Sequence, residues 1–180
     1  MNYRLVVGAV ALSFFLSVLL LAVPRGGLIA AAEELPKESV LPLAMANKAI
    51  QAAMEACRKD GYRVSVSVVD RAGVLRGMGR ADGAGPHTVD SSRKKAYTAA
   101  SLRRPTTELA ELVNKVATLQ ALREMNDNVL ILGGGLPIEI GSEVVGGIGV
   151  GGAPGAHLDD ACAQAGLDSI GAAPKVPAAK

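Results

Sequence analysis

Aromatic residues are almost missing from this chain of 180 residues. There is no tryptophan, and beyond position 15 the only aromatic side chains are Tyr62 and Tyr97. Single-stranded nucleic-acid platforms stack bases on aromatic rings, so that function class is excluded. Histidine is as scarce, with only His87 and His157. A zinc site could be imagined from His87 with Asp82 and Asp90, or from His157 with Asp159 and Asp160, but neither spacing matches a metal-binding pattern. None of the serines sits in a GxSxG elbow, so no hydrolytic triad is legible. The two cysteines, Cys57 and Cys162, form no CxxC, which removes a zinc ribbon and covalent haem attachment of the CxxCH kind. Positive charge is not in excess once the first segment is set aside. Residues 1–32 hold Arg4 and Arg25 and no acid, leaving 17 basic side chains against 17 acidic ones. A neutral domain lacks the basic face that nucleic acid requires. The clusters Arg93–Lys95 and Arg103–Pro105 read as solvated helix faces.

The chain opens with a short basic start, an apolar run over Leu5–Val23, and the small residues Ala30, Ala31 and Ala32. That is the order of a secretory signal spanning 1–32, cleaved before Glu33. A run of this length is also enough for a retained membrane anchor, the only way in which a membrane enters this reading. Either alternative puts the domain outside the cytoplasm, periplasmic or extracellular. Residues 33–40 read as a linker, 41–170 as one domain and 171–180 as a disordered Ala/Pro/Lys-rich tail.

Within the domain, apolar spacing predicts a helix over Leu41–Gly61, ended by Gly61. β-Branched runs broken by Asp/Gly and Gly/Ser predict two hairpins. One is Val64–Val69 with Val74–Arg80, and the other Leu136–Ile140 with Val144–Val150. A strand at Val129–Leu132 precedes the second. Thr88 is placed as the cap of a helix to Leu102, Pro105 breaks the chain, and Thr106 or Thr107 caps another helix. A last helix covers Ala156–Ala165. The order predicts an α+β fold with a single antiparallel five-stranded sheet flanked by helices. Glycine crowds Gly133–Gly135 and Gly146–Gly152, so another backbone or a flat ligand approaches closely there, or helices pack tightly on that face. GIGVGG at Gly147–Gly152 lacks the helix start and acidic partner of a dinucleotide loop. Cys57 and Cys162 fall in the first and last helices. They form a disulfide, as an even pair in an exported protein suggests, or remain two buried thiols.

The pieces SVVDRAGVL, RADGAGP, SRKKAYTAAS, RRPTTEL, GGGLPIEI and VVGGIGVGGAPGAHLDDACAQAG, in this order and spacing, resemble the GlcG/HbpS-like haem-binding family. The resemblance covers Leu41 to Ile170. It implies a profilin-like α+β arrangement, a haem-related role and symmetric assembly, here a homo-oligomer of even order. Haem b, held non-covalently, is therefore the expected cofactor and partner. Haem needs one or two axial ligands and an apolar slot, not a metal cluster. His87, in the ADGAGPH loop ahead of a helix, is expected to be exposed, mobile and able to reach the iron. Arg93 and Lys94 on that helix are candidates for the propionates, and Tyr97 is either a ligand or a packed ring. His157 carries no expected role. The leading reading is an exported protein that sequesters, transports or senses haem. The alternative is a non-catalytic oligomeric accessory protein of an oxidation pathway without a haem ligand. No acid–base constellation supports an enzyme.

Overall fold

The computed structural model describes residues 34–172. The leader over 1–32 and all but the first two residues of the tail lie outside them. Residues 34–40 are exposed and irregular, and among the described residues the first regular element is helix α1, Leu43–Lys59. Its buried residues Ala46, Ala49, Ile50, Ala53 and Cys57 recur at three- and four-residue intervals, one face of a helix. Gly61 ends it at φ +80°, where a side chain would be strained, and Tyr62 N–H donates back to Cys57 O at 2.9 Å.

Strands β1 (Ser65–Asp70) and β2 (Leu75–Arg80) form the first hairpin. Asp70 shapes its turn, since Oδ1 accepts from the Ala72 and Val74 N–H groups at 3.0 Å. Helices α2 (His87–Leu102) and α3 (Thr106–Lys115), a 3₁₀ segment (Ala117–Glu124), strands β3 (Gly135–Ile140) and β4 (Glu143–Gly151), and helix α4 (Ala156–Ser169) follow. The sheet is antiparallel with order β2-β1-β4-β3.

The α+β architecture is as expected, but the sheet has four strands, not five. The segment Val129–Leu132 is no strand because its backbone donors are spent elsewhere. Val129 N–H bonds Asn126 O at 2.9 Å, Leu130 N–H bonds the Thr98 hydroxyl at 2.8 Å, and Leu132 N–H bonds Leu130 O at 3.0 Å. Its Val129 and Ile131 side chains pack with Leu109 and Val113 of α3 in a small second core. Thr88 does not cap α2 either. The helix starts at His87 after Pro86, and Thr88 is buried inside its first turn. Its hydroxyl lies 2.6 Å from Gly85 O and 2.7 Å from Ser65 Oγ.

Helices α1 and α4 cover one face of the sheet. Val66, Val68, Leu136, Ile138, Ile148 and Val150 meet Ala49, Ile50, Ala53 and Leu167 there, forming a main core built of aliphatic and small residues. The Cys57–Cys162 disulfide joins these two helices, with Cα atoms 5.5 Å apart. Closing a loop of this order contributes about 4–5 kcal/mol in the chain-entropy model.

Helix α2 covers the other face and explains the glycines of β4. A Cβ added at Gly147 would run into the Ala96 carbonyl, and one at Gly149 into the Ser92 carbonyl. Backbone lies on backbone. The hydroxyls of Ser67 and Ser92, 2.8 Å apart, join β1 to the same helix. Where β3 begins, Lys95 of α2 reaches past Gly134 to α4 on the far face. Its Nζ donates to Asp159 Oδ2 and to Val150 O, both at 2.8 Å, and both charged side chains are buried. Gly134, at φ +110°, leaves room for it: an added Cβ would sit 2.8 Å from Nζ. Lys95 is thus not part of a solvated basic face, unlike the partly exposed Arg93 and Lys94 beside it.

Removing one partner of a buried ion pair leaves the other charge uncompensated. Lys95→Met is therefore expected to destabilise the protein by about 3–5 kcal/mol. The double variant Lys95→Met/Asp159→Leu should recover most of that loss in urea unfolding. A double variant as unstable as the single one would show that the pair is not what holds α2 to α4.

Candidate functional site

The expected ligand loop is built more firmly than its composition suggests. Ala81 N–H bonds Val64 O at 2.9 Å and Ala84 N–H bonds Ala81 O at 3.0 Å, closing a turn with Ala84 buried. Arg80 donates both Nε and Nη2 to Ala84 O. Gly83 takes φ +78°, and the Arg63 guanidinium lies 3.1 Å from where its Cβ would be. Two arginines thus contact the loop, Arg80 at Ala84 and Arg63 at Gly83.

His87 leaves this loop as the first residue of α2 and is exposed. Its ring folds back over Gly85, with Cε1 and Nδ1 at 2.6 and 2.9 Å from the position a Cβ would take there, and Nε2 at 3.6 Å. A side chain at Gly85 would displace the imidazole. The ring makes no hydrogen bond among the described residues, so the outer nitrogen is uncommitted.

His87, Asp90 and Lys94 fall at i, i+3 and i+7 on α2, one outward stripe. The His87-to-Lys94 rise along the axis is about 10 Å. Arg93 flanks the stripe. Asp90 binds both cations, Arg93 Nη2 at 3.2 Å and Lys94 Nζ at 3.1 Å. Arg93 Nη1 also donates to Asn128 Oδ1 at 2.9 Å, which ties α2 to the turn before Val129. Partial burial pushes the Asp90 carboxyl up, but hydrogen bonds from Lys94 and Arg93 and their charges outweigh it, so its pKa lies below the ordinary value. Tyr97 stands apart. Its ring lies on Gly73 in the first hairpin turn and packs against the second core. The structure therefore brings His87, Arg93 and Lys94 to one surface and sets Tyr97 into packing beside it.

These groups supply the polar contacts of a haem site. An exposed imidazole is an axial ligand type. Arg93 and Lys94 demonstrably converge on one carboxylate, since they already hold Asp90, and that is the chemistry a propionate requires. Cys57 and Cys162, the chain's two cysteines, are bonded to each other, so a bound haem has no thiol to attach to.

A second group of titratable residues lies at the start of α4. His157 is exposed and folds over Gly155 as His87 does over Gly85. Asp160 is buried, accepting from Gly134 N–H at 2.7 Å and from the Thr107 hydroxyl. Burial pushes the Asp160 carboxyl above its ordinary range, against the pull of Thr107, Gly134, Lys95 and His157. Burial likewise raises Asp159, against Lys95 and the Ala153 N–H. Among the described residues, no group of three or more His, Cys, Asp or Glu side chains converges as a metal centre would require.

Comparison with known proteins bears on the family and the fold. The family model described as "Haem degrading protein HbpS-like" matches residues 41–168. A crystal structure of a double mutant of HbpS from Streptomyces reticuli is similar, with TM-score 0.73 and 43% identity over 78% of this chain and 94% of that one. The crystal structure titled a PduOC:Heme complex is similar at TM-score 0.70 and 26% identity, over 75% of this chain and 98% of that one. Protein GlcG of Escherichia coli K12 is 33% identical over 111 residues, 62% of this chain and 81% of GlcG.

The raised Asp160 carboxyl has a measurable consequence. Where a folded-state pKa exceeds the unfolded one, the folded protein holds a proton that the unfolded chain has released. Stability then falls as pH rises from the ordinary value, 3.8, towards the raised one. Asp160→Asn keeps an acceptor for Gly134 N–H but cannot ionise. Its unfolding free energy in urea should drop less than that of the wild type as pH is raised through this window. Parallel pH profiles would show that Asp160 is ionised in the fold without penalty.

Proposed function

The chain belongs to the HbpS-like family, and from that premise we propose that it binds haem b non-covalently on the outer stripe of α2. The supporting observation is the uncommitted, glycine-backed imidazole of His87 on one surface with Arg93 and Lys94. His87 would hold the iron, and Arg93 and Lys94 would hold propionate carboxylates. When bound, haem would supply an iron centre for small-ligand chemistry. The protein's part is to orient the ring and neutralise its carboxylates. The chemical reading is sequestration, transport or sensing of haem.

We infer export as the setting, periplasmic or extracellular. The basic-apolar-small order of residues 1–32 supports it, and so does a buried disulfide, a bond that persists in oxidising compartments. We also infer a homo-oligomer of even order. In its favour, Val74, Leu75 and Met78 in and beside edge strand β2 remain 60%, 46% and 43% exposed in the single chain.

Hemin titration tests the reading. Wild-type protein should give a hemin-dependent Soret band. His87→Ala should weaken binding or shift the band, whereas His157→Ala should do neither. If His87→Ala changes nothing, the ligand assignment is wrong. If the wild type gives no band, the accessory-protein reading replaces this one. Light scattering at micromolar protein should return a mass above that of one chain; a monomer mass would refute the assembly.

A further inference from the structure

We propose that Asp90 sets the affinity of the α2 stripe for tetrapyrrole carboxylates by competing with them for Arg93 and Lys94. The inference rests on the haem-binding reading and deepens it. One carboxylate already engages both cations, at 3.2 and 3.1 Å. An incoming propionate must displace it or share its partners against like-charge repulsion. Arg93 does not depend on Asp90 for its orientation, because Asn128 Oδ1 accepts from its other terminal nitrogen at 2.9 Å. The guanidinium therefore stays in place when the acid is removed. Lys94 has no second partner among the described residues and is only partly buried, so its ammonium turns freely to a new anion. Asp90 also lies in the first turn of α2, where the helix dipole favours negative charge. Neutralising it leaves that field to the ligand. The site is thus tuned below its attainable affinity, as suits a protein that must give its ligand up.

The test separates carboxylate recognition from iron ligation by using iron-free protoporphyrin IX, followed by its fluorescence, with its dimethyl ester as the uncharged control. Asp90→Asn should bind the diacid roughly two- to fivefold more tightly, the scale of an exposed ion pair. The gain should shrink in about 0.5 M salt, and the ester should be unaffected. The double variant Arg93→Gln/Lys94→Gln should bind the diacid more weakly and the ester unchanged. Circular dichroism matching the wild type shows that α2 is intact in each. Unchanged or weaker diacid binding by Asp90→Asn overturns the proposal, as does equal tightening of the ester or an unaffected double variant. A His87-dependent hemin band alongside a silent Asp90→Asn overturns this proposal alone. Wild-type protein that binds neither hemin nor protoporphyrin overturns the haem reading with it, and binding of hemin without any of protoporphyrin overturns this proposal alone.

Discussion

Helix α2 rests on β4 at the distance of two backbones, and the remaining architecture follows from that contact. Glycine at Gly147 and Gly149 is what allows it, since any side chain there would meet the Ala96 or Ser92 carbonyl. Glycine in a strand weakens it in isolation by roughly 0.5–1 kcal/mol. The close approach offsets this by letting short side chains do the joining. Ser65 and Ser67 reach Thr88 and Ser92 directly. It also brings Lys95 near enough to pass Gly134 and end on Asp159 of the opposite layer. A core with so few aromatics depends on such proximity, because dispersion contacts among small side chains need short separations. The same contact fixes the rotation of α2 about its axis, and so decides that His87, Asp90 and Lys94 face outward.

The buried and exposed charges of α2 therefore do different work, though they are neighbours in the chain. Lys95 is withdrawn from water and has one carboxylate and one carbonyl to satisfy it. It ties layers together and is unavailable to a ligand. Arg93 and Lys94, next to it, turn to the surface and share Asp90. A single residue step, about 100° around the helix, separates an ion pair that is structural from one that can be exchanged.

Much of this was legible in the residues. The hairpins follow from β-branched runs around Asp70–Gly73 and Gly141–Glu143, and α1 from its three- and four-residue apolar spacing. The fifth strand was misjudged because Val129–Leu132 has strand-like residues, whereas pairing depends on where its N–H groups go, and Thr98 lies 32 residues away. Lys95 was misjudged by treating Arg93–Lys95 as one cluster. Helical spacing puts Lys95 with Ser92, Ala96 and Ala99, the buried face. The same spacing sets Asp159 and Asp160 beside Cys162, Ala163 and Leu167, so their burial also had a signal. The partners Arg63, Arg80 and Asn128 had none. They come from loops and an edge strand whose proximity to α2 exists only once the sheet has formed. Asp90 was visible as a helix-start acid, but its grip on two cations required their rotamers.

The bond between Cys57 and Cys162 spans 105 residues and joins α1 to α4. All four strands and the α2 stripe lie inside this one covalent ring. A protease that cuts the exposed 3₁₀ segment once therefore opens the ring without releasing a fragment. The two pieces stay attached through sulfur and remain held by the sheet, separating only when a reductant and a denaturant act together. Until both act, such a nicked molecule keeps its surface and its mass.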